Sequence, residues 1–474
     1  MFKISKYICA CAVLDLSGAA LSSARATPPA GVTLDHSAVH RKADNKPAPH
    51  GGAGAGVPAR HDEAKHVAVR PTPQAAADAL GLSPAMLDPE LATALAVVLE
   101  RSPAVNAAKT DARAAGIDVS AARWRRLPTM SVQGNYYGVQ GSAPRPLVPN
   151  ISVDLPLWNA GRTHAIIQRA IAGRRAAEAR LVEAELDAAL QLVSQFYEYK
   201  RLSARLLTVT DNLAAMQAME DSMQRRVTQE VSPRSDLELA RTRTLQVRLI
   251  RDAIVAQRQA VLARLHEQLV DPDYQIDENG LVGPFWLKAD LEDLIGAADA
   301  FDPHRQRLEA EADIAAADAK ASNAARFPSV NAQYSYDDIY GHRLGVTVRA
   351  QVTGLAEFTE ARAGTLREGA ARQKVDIALH DLRSQVSSDY IDYTSSLGRL
   401  DVARSSSRST NEVRDSYIRQ FTAGKRGWLD VMNAMREAMT AQLDALDNNY
   451  AAAQAQTRLL IRAGMMPAEM KRLN

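Results

Sequence analysis

The chain has 474 residues, of which 46% are hydrophobic, 24% charged and only 5% aromatic. That composition suits helices packed through Ala and Leu rather than a core of large aromatic side chains. Fifty-seven Lys plus Arg against 55 Asp plus Glu leave a net charge of +2, so there is no electrostatic ground for nucleic-acid binding.

Both cysteines, Cys9 and Cys11, lie in residues 1–26, which read as a cleaved signal peptide. Lys3 and Lys6 form its basic start, Tyr7 to Leu21 its apolar stretch, interrupted by Asp15, and Ala24-Arg25-Ala26 its small-x-small site before Thr27. The exported chain would then carry no thiol, which fits an oxidising compartment. Neither cysteine precedes a lipoprotein cleavage point. Residues 27–75 are dominated by Ala, Gly, Pro, His and charged side chains, too little to bury against the entropy of ordering, and read as a disordered spacer. His36, His40, His50, His61 and His66 fall here, with a spacing too irregular for a metal site.

The remainder is a tandem repeat. The stretch Arg101-Ser102-Pro103 to Arg126-Leu127-Pro128-Thr129 recurs 200 positions later as Phe301-Asp302-Pro303 to Arg326-Phe327-Pro328-Ser329. Matching alanines in Ala-rich helices mean little, but the repeated prolines and the Arg-x-Pro ending mark where each half starts and stops a helix. The halves are taken as 76–270 and 301–474, joined by a linker over 271–300.

After Pro128, Met130, Val132, Gly134 and Tyr136 alternate with polar residues, as do Val330, Ala332, Tyr334 and Tyr336 after Pro328. Turn-rich stretches follow, 138–149 and 337–343, and then returning alternations: Ile151, Val153, Leu155 and Leu157 in the first half, Leu344, Val346, Val348, Ala350 and Val352 in the second. The spacing predicts two β-hairpins, with strands at about 129–139, 150–157, 329–337 and 343–353, each having one apolar face. Strands of that length cross a bilayer at a tilt, and no apolar run of transmembrane-helix length exists. The alternative is a small soluble sheet covered on one face by helices.

Long proline-free stretches, 157–232 and 329–466, predict very long helices. Leu186, Leu190, Val193 and Tyr197, then Leu202, Leu206, Val209 and Leu213, step by four and three, as do Met439, Leu443, Leu446, Tyr450 and Ala453. That is a coiled-coil seam. Each long helix turns back at a short break, about 230–235 with Ser232 and Pro233, and about 423–427 with Gly424, Lys425 and Gly427. Four strands are too few to close an ordinary barrel, and an open edge in lipid leaves backbone groups without partners, so the strands must be pooled with copies of the chain.

The repeat, the strand-to-helix passage Pro156-Leu157-Trp158-Asn159-Ala160-Gly161 and the run from Phe421 to Ala434 resemble the TolC family of outer-membrane channel proteins over about residues 80–466. The resemblance implies a homotrimer whose pooled strands form a twelve-stranded barrel in outer-membrane lipid, continuous with an α-helical periplasmic tunnel. It also implies two partners, a periplasmic adaptor, or membrane fusion, protein at the tunnel tip and an inner-membrane pump. The family's constriction falls on Asp430, with Asn433 standing where a second carboxylate is often found, and Arg426 matches a latch position at the tunnel end. The hairpin tips around Ser232, Pro233, Gly424, Lys425 and Gly427 become adaptor-facing. In the second half the passage residue is Gly354, and no proline stands where the first half has Pro156.

No catalytic motif is present. His266-Glu267-Gln268-Leu269 lacks the second histidine of a zinc helix, and 271–282 carries Ile276 where a calcium loop needs glycine. No glycine loop for phosphate exists, so the chain is expected to need no cofactor or metal, to hydrolyse nothing, and to take its energy from a partner. The expected function is a passive, gated exit duct. The inner-membrane partner is an ABC exporter if the system is type I protein secretion, which the 424–437 run resembles, or a proton-driven multidrug pump. A soluble periplasmic coiled-coil scaffold is the reading from a different class.

Overall fold

The computed structural model describes residues 87–135, 148–277, 287–337, 341–350 and 356–465, all within the unit spanning 68–474. Its first half contains α1 (Pro89–Arg101), α2 (Pro103–Trp124), β1 (Thr129–Asn135), β2 (Val148–Trp158), α3 (Arg162–Thr228) and α4 (Arg234–Leu269). The second half repeats that order as α5 (Leu291–Phe301), α6 (Pro303–Ala325), β3 (Ser329–Asp337), β4 (Gly341–Arg349), α7 (Ala356–Thr422) and α8 (Trp428–Arg462). Proline opens α2 and α6 at equivalent places, Pro103 and Pro303, where the missing N–H costs nothing. The 200-residue offset falls to 194 at the long helices, Arg162 matching Ala356, because the second half spends fewer residues between its strands. α5 occupies the last third of the segment read from sequence as a linker; Asp290 caps it, and Leu294, Ile295 and Ala298 are buried.

The strands form one antiparallel sheet in the order β1-β2-β3-β4. The register sets Met130 opposite Val153, Val153 opposite Tyr334 and Tyr334 opposite Leu344. Since paired residues share a face, this row and those on either side of it, Val132–Ile151–Tyr336 and Leu155–Ala332–Val346, build one apolar face across four strands. Nothing described packs on it: Leu344 is 84% exposed, Met130 70% and Val348 65%. The opposite face is polar, with Ser131 and Ser152 hydroxyls 2.7 Å apart and Arg349 reaching Asp154 at 3.3 Å. The outer edges of β1 and β4 have no strand partner among the described residues.

β3 and β4 extend into the stretch read from sequence as turn-rich, since Asp337 pairs with Gly341 and Tyr336 with His342. Pairing there uses backbone groups, so no apolar alternation is needed, and the His342 ring stands 4.8 Å from that of Tyr336. A bulge interrupts the β2–β3 register at Pro156 to Trp158, as expected where proline withdraws a ladder donor.

α3 and α7 have 67 residues each, about 100 Å at ~1.5 Å per residue. No described helix is long and apolar enough to cross a membrane. Near the sheet the helices lie in the contact order α2, α3, α6, α7; beyond, the order is α4, α3, α8, α7. The coiled-coil positions Leu186, Val193, Tyr197, Leu202, Val209 and Leu213 are buried in one cluster with Met439, Leu443, Tyr450 and Ala453. Within it the Tyr197 hydroxyl lies 2.9 Å from Thr457 Oγ1, and burial pushes its pKa up to about 12, so it stays protonated.

α3 is tied to α6 by charge. Glu183 accepts from Arg307 Nε at 2.6 Å and faces His304 Nδ1 at 2.6 Å. Burial alone would raise the Glu183 pKa, but the bonds from Arg307 and His304 outweigh it and hold the carboxyl below its ordinary 4.5. A depressed carboxylate stabilises the fold above the unfolded value and stops doing so as pH falls through the folded one. Glu183→Gln is therefore expected to lower stability by about 1–3 kcal/mol at pH 7 and to flatten the loss of stability below about pH 4.5. Thermal melts of both proteins between pH 3 and 7 check this; parallel curves would contradict it.

Candidate functional site: the hairpin tips

Each long helix ends in the same device. At the first tip Val231 N donates to Arg226 O at 2.9 Å and Glu230 N to Val227 O at 3.0 Å; at the second, Lys425 N donates to Gln420 O and Gly424 N to Phe421 O, both at 2.9 Å. These paired bonds close a helix when the residue after it adopts left-handed backbone, and Glu230 (φ 59) and Gly424 (φ 71) do so. They are repeat mates, 194 residues apart like α3 and α7.

Asp430 lies in the first turn of α8, three residues after its N-cap Gly427. The unpaired N–H groups and dipole there favour a carboxylate. A side chain at Gly427 would come within 3.7 Å of Asp430 Oδ2. Arg426 Nε is 3.2 Å from the same oxygen, and the guanidinium lies 4.0 Å over the Tyr417 ring. Both partners belong to the arginine's own hairpin, so Arg426 fastens the end of α7 to the start of α8. Asn433 is exposed one turn beyond Asp430, and Glu437 is exposed a further turn along the same face.

The other tip differs. Ser232 stands at the repeat position of Arg426, and its Oγ lies 3.3 Å from Arg226 Nε. Pro233 is the N-cap of α4, in extended backbone. Arg226 also covers the Phe421 ring at 5.3 Å, while Met223, Leu237 and Ala240 form a small core against Trp428. The two tips of one chain are thereby packed together. Lys425 is exposed. Asp236, the repeat mate of Asp430, lies in the first turn of α4, giving each chain two carboxylates in equivalent helix starts.

Sequence reasoning singled out Arg426, Asp430 and Asn433 but not Asp236, Glu437, Tyr417, Arg226 or Trp428. The 194-residue offset would have found Asp236 and the seven-residue step Glu437; the aromatic contacts have no local signal. At the strand-to-helix passage Pro156 lies in β2 at the bulge, and Ala160 (φ 51) and Gly161 (φ 83) turn the chain into α3. Gly354 lies outside the described residues. Among the described residues no cluster of three His, Cys, Asp or Glu could hold a metal.

Left-handed backbone costs an L-residue about 1–2 kcal/mol and glycine little. Glu230→Gly is expected to raise stability by about 1 kcal/mol and Gly424→Ala to lower it by a similar amount. Denaturant titration of the two variants tests the equivalence of the tips, and shifts of the same sign would contradict it.

A model of the outer membrane efflux protein family matches residues 94–269. No curated protein matches the chain by sequence. Among solved structures, the Vibrio cholerae outer membrane protein VceC is 16% identical with a TM-score of 0.68, over 79% of this chain and 96% of that one. The Campylobacter jejuni CmeC outer membrane channel is 12% identical with a TM-score of 0.70, over 88% and 95%. The open state of the Neisseria gonorrhoeae MtrE outer membrane channel is 17% identical with a TM-score of 0.64, over 80% and 90%. At these identities the likeness is one of fold.

Proposed function

We propose, from the premise that this chain is a TolC-family outer-membrane channel protein in fold and, over residues 94–269, in sequence, that it is the exit duct of a tripartite export system. The observation that carries the reading is the four-stranded sheet with a largely apolar face and two edges, uncovered and unpaired among the described residues, mounted on helices of 67 residues. Three chains pool their strands into a barrel in outer-membrane lipid, and their helices line a periplasmic tunnel. The duct does no chemistry; a periplasmic adaptor at the tips couples it to an inner-membrane pump that supplies the energy.

The tip geometry supports a gate. In a trimer the three Asp430 side chains, with Asn433 and Glu437 behind them, ring the tunnel entrance and favour cations there. Arg426 draws off part of that charge through its ion pair and sets the shape of the hairpin that must move for the end to open. Ser232, Pro233, Gly424, Lys425 and Gly427 offer backbone and polar groups for the adaptor. Asp430→Ala is expected to reduce cation selectivity and block by multivalent metal ions in planar bilayers; unchanged selectivity and block would remove Asp430 from the constriction.

For cargo we favour an unfolded polypeptide driven by an ABC exporter, on the likeness of residues 424–437 to channels of type I secretion. The second reading, small toxic molecules driven by a proton-coupled pump, has in its favour the efflux family matched over 94–269. Deleting the protein separates them: loss of one large protein from the medium is expected, whereas raised sensitivity to small toxic compounds with secretion intact supports the second reading.

A further inference from the structure

We propose that the groove over α8, between α3 and α7, is a binding site for a small oxyanion, a phosphate or a carboxylate, held by Arg404, Asn449 and Ser407. This goes beyond the exit duct proposed above, which needs no ligand. The groove is a cleft of about 390 Å³ lined by Thr208 of α3, Arg404 and Ser407 of α7, and Gln442 and Asn449 of α8, over an apolar floor. Helical spacing brings these groups together. Arg404 and Ser407 are three residues apart on α7, and Gln442 and Asn449 seven apart on α8, so each pair shares one face of its helix.

Donors and acceptors in the cleft do not balance. Gln442 is satisfied on both sides: its Oε1 accepts from Asn212 Nδ2 at 3.2 Å, and its Nε2 donates to Asn411 Oδ1 at 2.7 Å. Thr208 Oγ1 donates to Ala204 O at 3.1 Å. Asn449 is different. It is only 7% exposed and its Oδ1 accepts from Arg404 Nη2 at 3.1 Å, but its Nδ2 meets no acceptor among the described residues. Arg404 offers five N–H groups, spends one on that neutral amide, and has no ion pair among the described residues. Ser407 Oγ accepts from Asn411 Nδ2 at 3.5 Å, and its own proton has no acceptor there either.

No carboxylate lines the cleft. Asp447, two residues from Asn449, is taken by Arg201 at 3.0 Å and by Arg205. The site therefore holds one full positive charge and a surplus of donors, one of them on a buried side chain, a combination that repels a metal cation and lacks only an acceptor. An oxyanion answers all three groups: arginine binds phosphate or carboxylate through two parallel N–H bonds, and the remaining lone pairs accept from the amide and the hydroxyl. The donor set belongs to the second half alone. At the 194-residue offset Arg404 and Asn449 correspond to Thr210 and Val255, which can form no such pair.

The place of the site along the helices gives it a consequence. Toward the sheet, α8 is tied to α3 by the Tyr197 and Thr457 hydroxyls; toward the tips, the shared core is built from Met216, Met219, Met432, Met435 and Met439, whose unbranched side chains repack easily. An anion joining Arg404 of α7 to Asn449 of α8 fastens those helices where the softer stretch begins.

Thermal melts of the full chain in detergent, with inorganic phosphate or acetate replacing chloride at constant ionic strength, test the site. A saturable rise in melting temperature with either anion is expected, and Arg404→Gln should weaken the apparent affinity by at least about tenfold, since a hydrogen bond to a charged group is worth roughly one decade or more. Arg408→Gln, an exposed arginine one turn further along α7, should keep the full response. Asn449→Asp sets a carboxylate against Arg404; it should raise the melting temperature without added anion and abolish the response, and it serves alone if Arg404→Gln does not fold. No rise, a rise that does not saturate, an equal response in Arg404→Gln, an equal loss in Arg408→Gln, or an Asn449→Asp protein that still responds overturns the site and leaves the duct standing.

Discussion

A four-stranded sheet with an apolar face that no described residue covers, and with two edges unpaired among the described residues, is the constraint from which the proposed assembly follows. In the proposed duct the four strands lie in an environment without water, where each unpaired N–H or C=O costs several kcal/mol, on the order of what a buried polar group loses without its partner. The alternating register leaves the chain no way to hide that face: Val346 and Val348 cannot turn inward without taking Arg349 and Thr347 outward. Completion by copies is the solution the proposed duct adopts. The long helices continue it, since a ring of strands can be extended only by elements that also repeat around the ring.

Internal duplication makes this economical. The same strand-strand-helix-hairpin-helix unit occurs twice, and the differences between the copies mark their separate duties. At the tips, the Arg426–Asp430 pair occupies one hairpin and Ser232 and Asp236 the other, so one hairpin of the chain is fastened by charge and the other is looser. The contacts of Trp428 and Arg226 with the opposite tip couple the two within a chain.

Much of this was legible in the sequence. Period-two alternation from Met130 to Val132 and from Leu344 to Val348 identified strands because one face must be apolar, and the absence of proline allowed helices of a length few globular proteins use. Strand ends at Asp337 and Gly341 were less visible, because a hairpin end is held by backbone pairing and the tilted contact of the Tyr336 and His342 rings rather than by apolar pattern. The helix from Leu291 to Phe301 was obscured by the acidic, turn-like residues before it, although its buried Leu294 and Ile295 answer to the buried Ala94 and Leu95 of α1. At the tips, resemblance led to Asp430 and Arg426. Tyr417 and Trp428 could not be read, since their roles depend on rings meeting across a turn or between hairpins.

The most direct measurement of the central claim is the protein mass of the particle extracted from outer membranes, by light scattering with the detergent contribution subtracted. A sheet that lies in lipid and borrows its missing edges from copies of itself predicts a particle of three chains that precipitates when detergent is withdrawn. A single chain, monodisperse in plain buffer, would contradict the account.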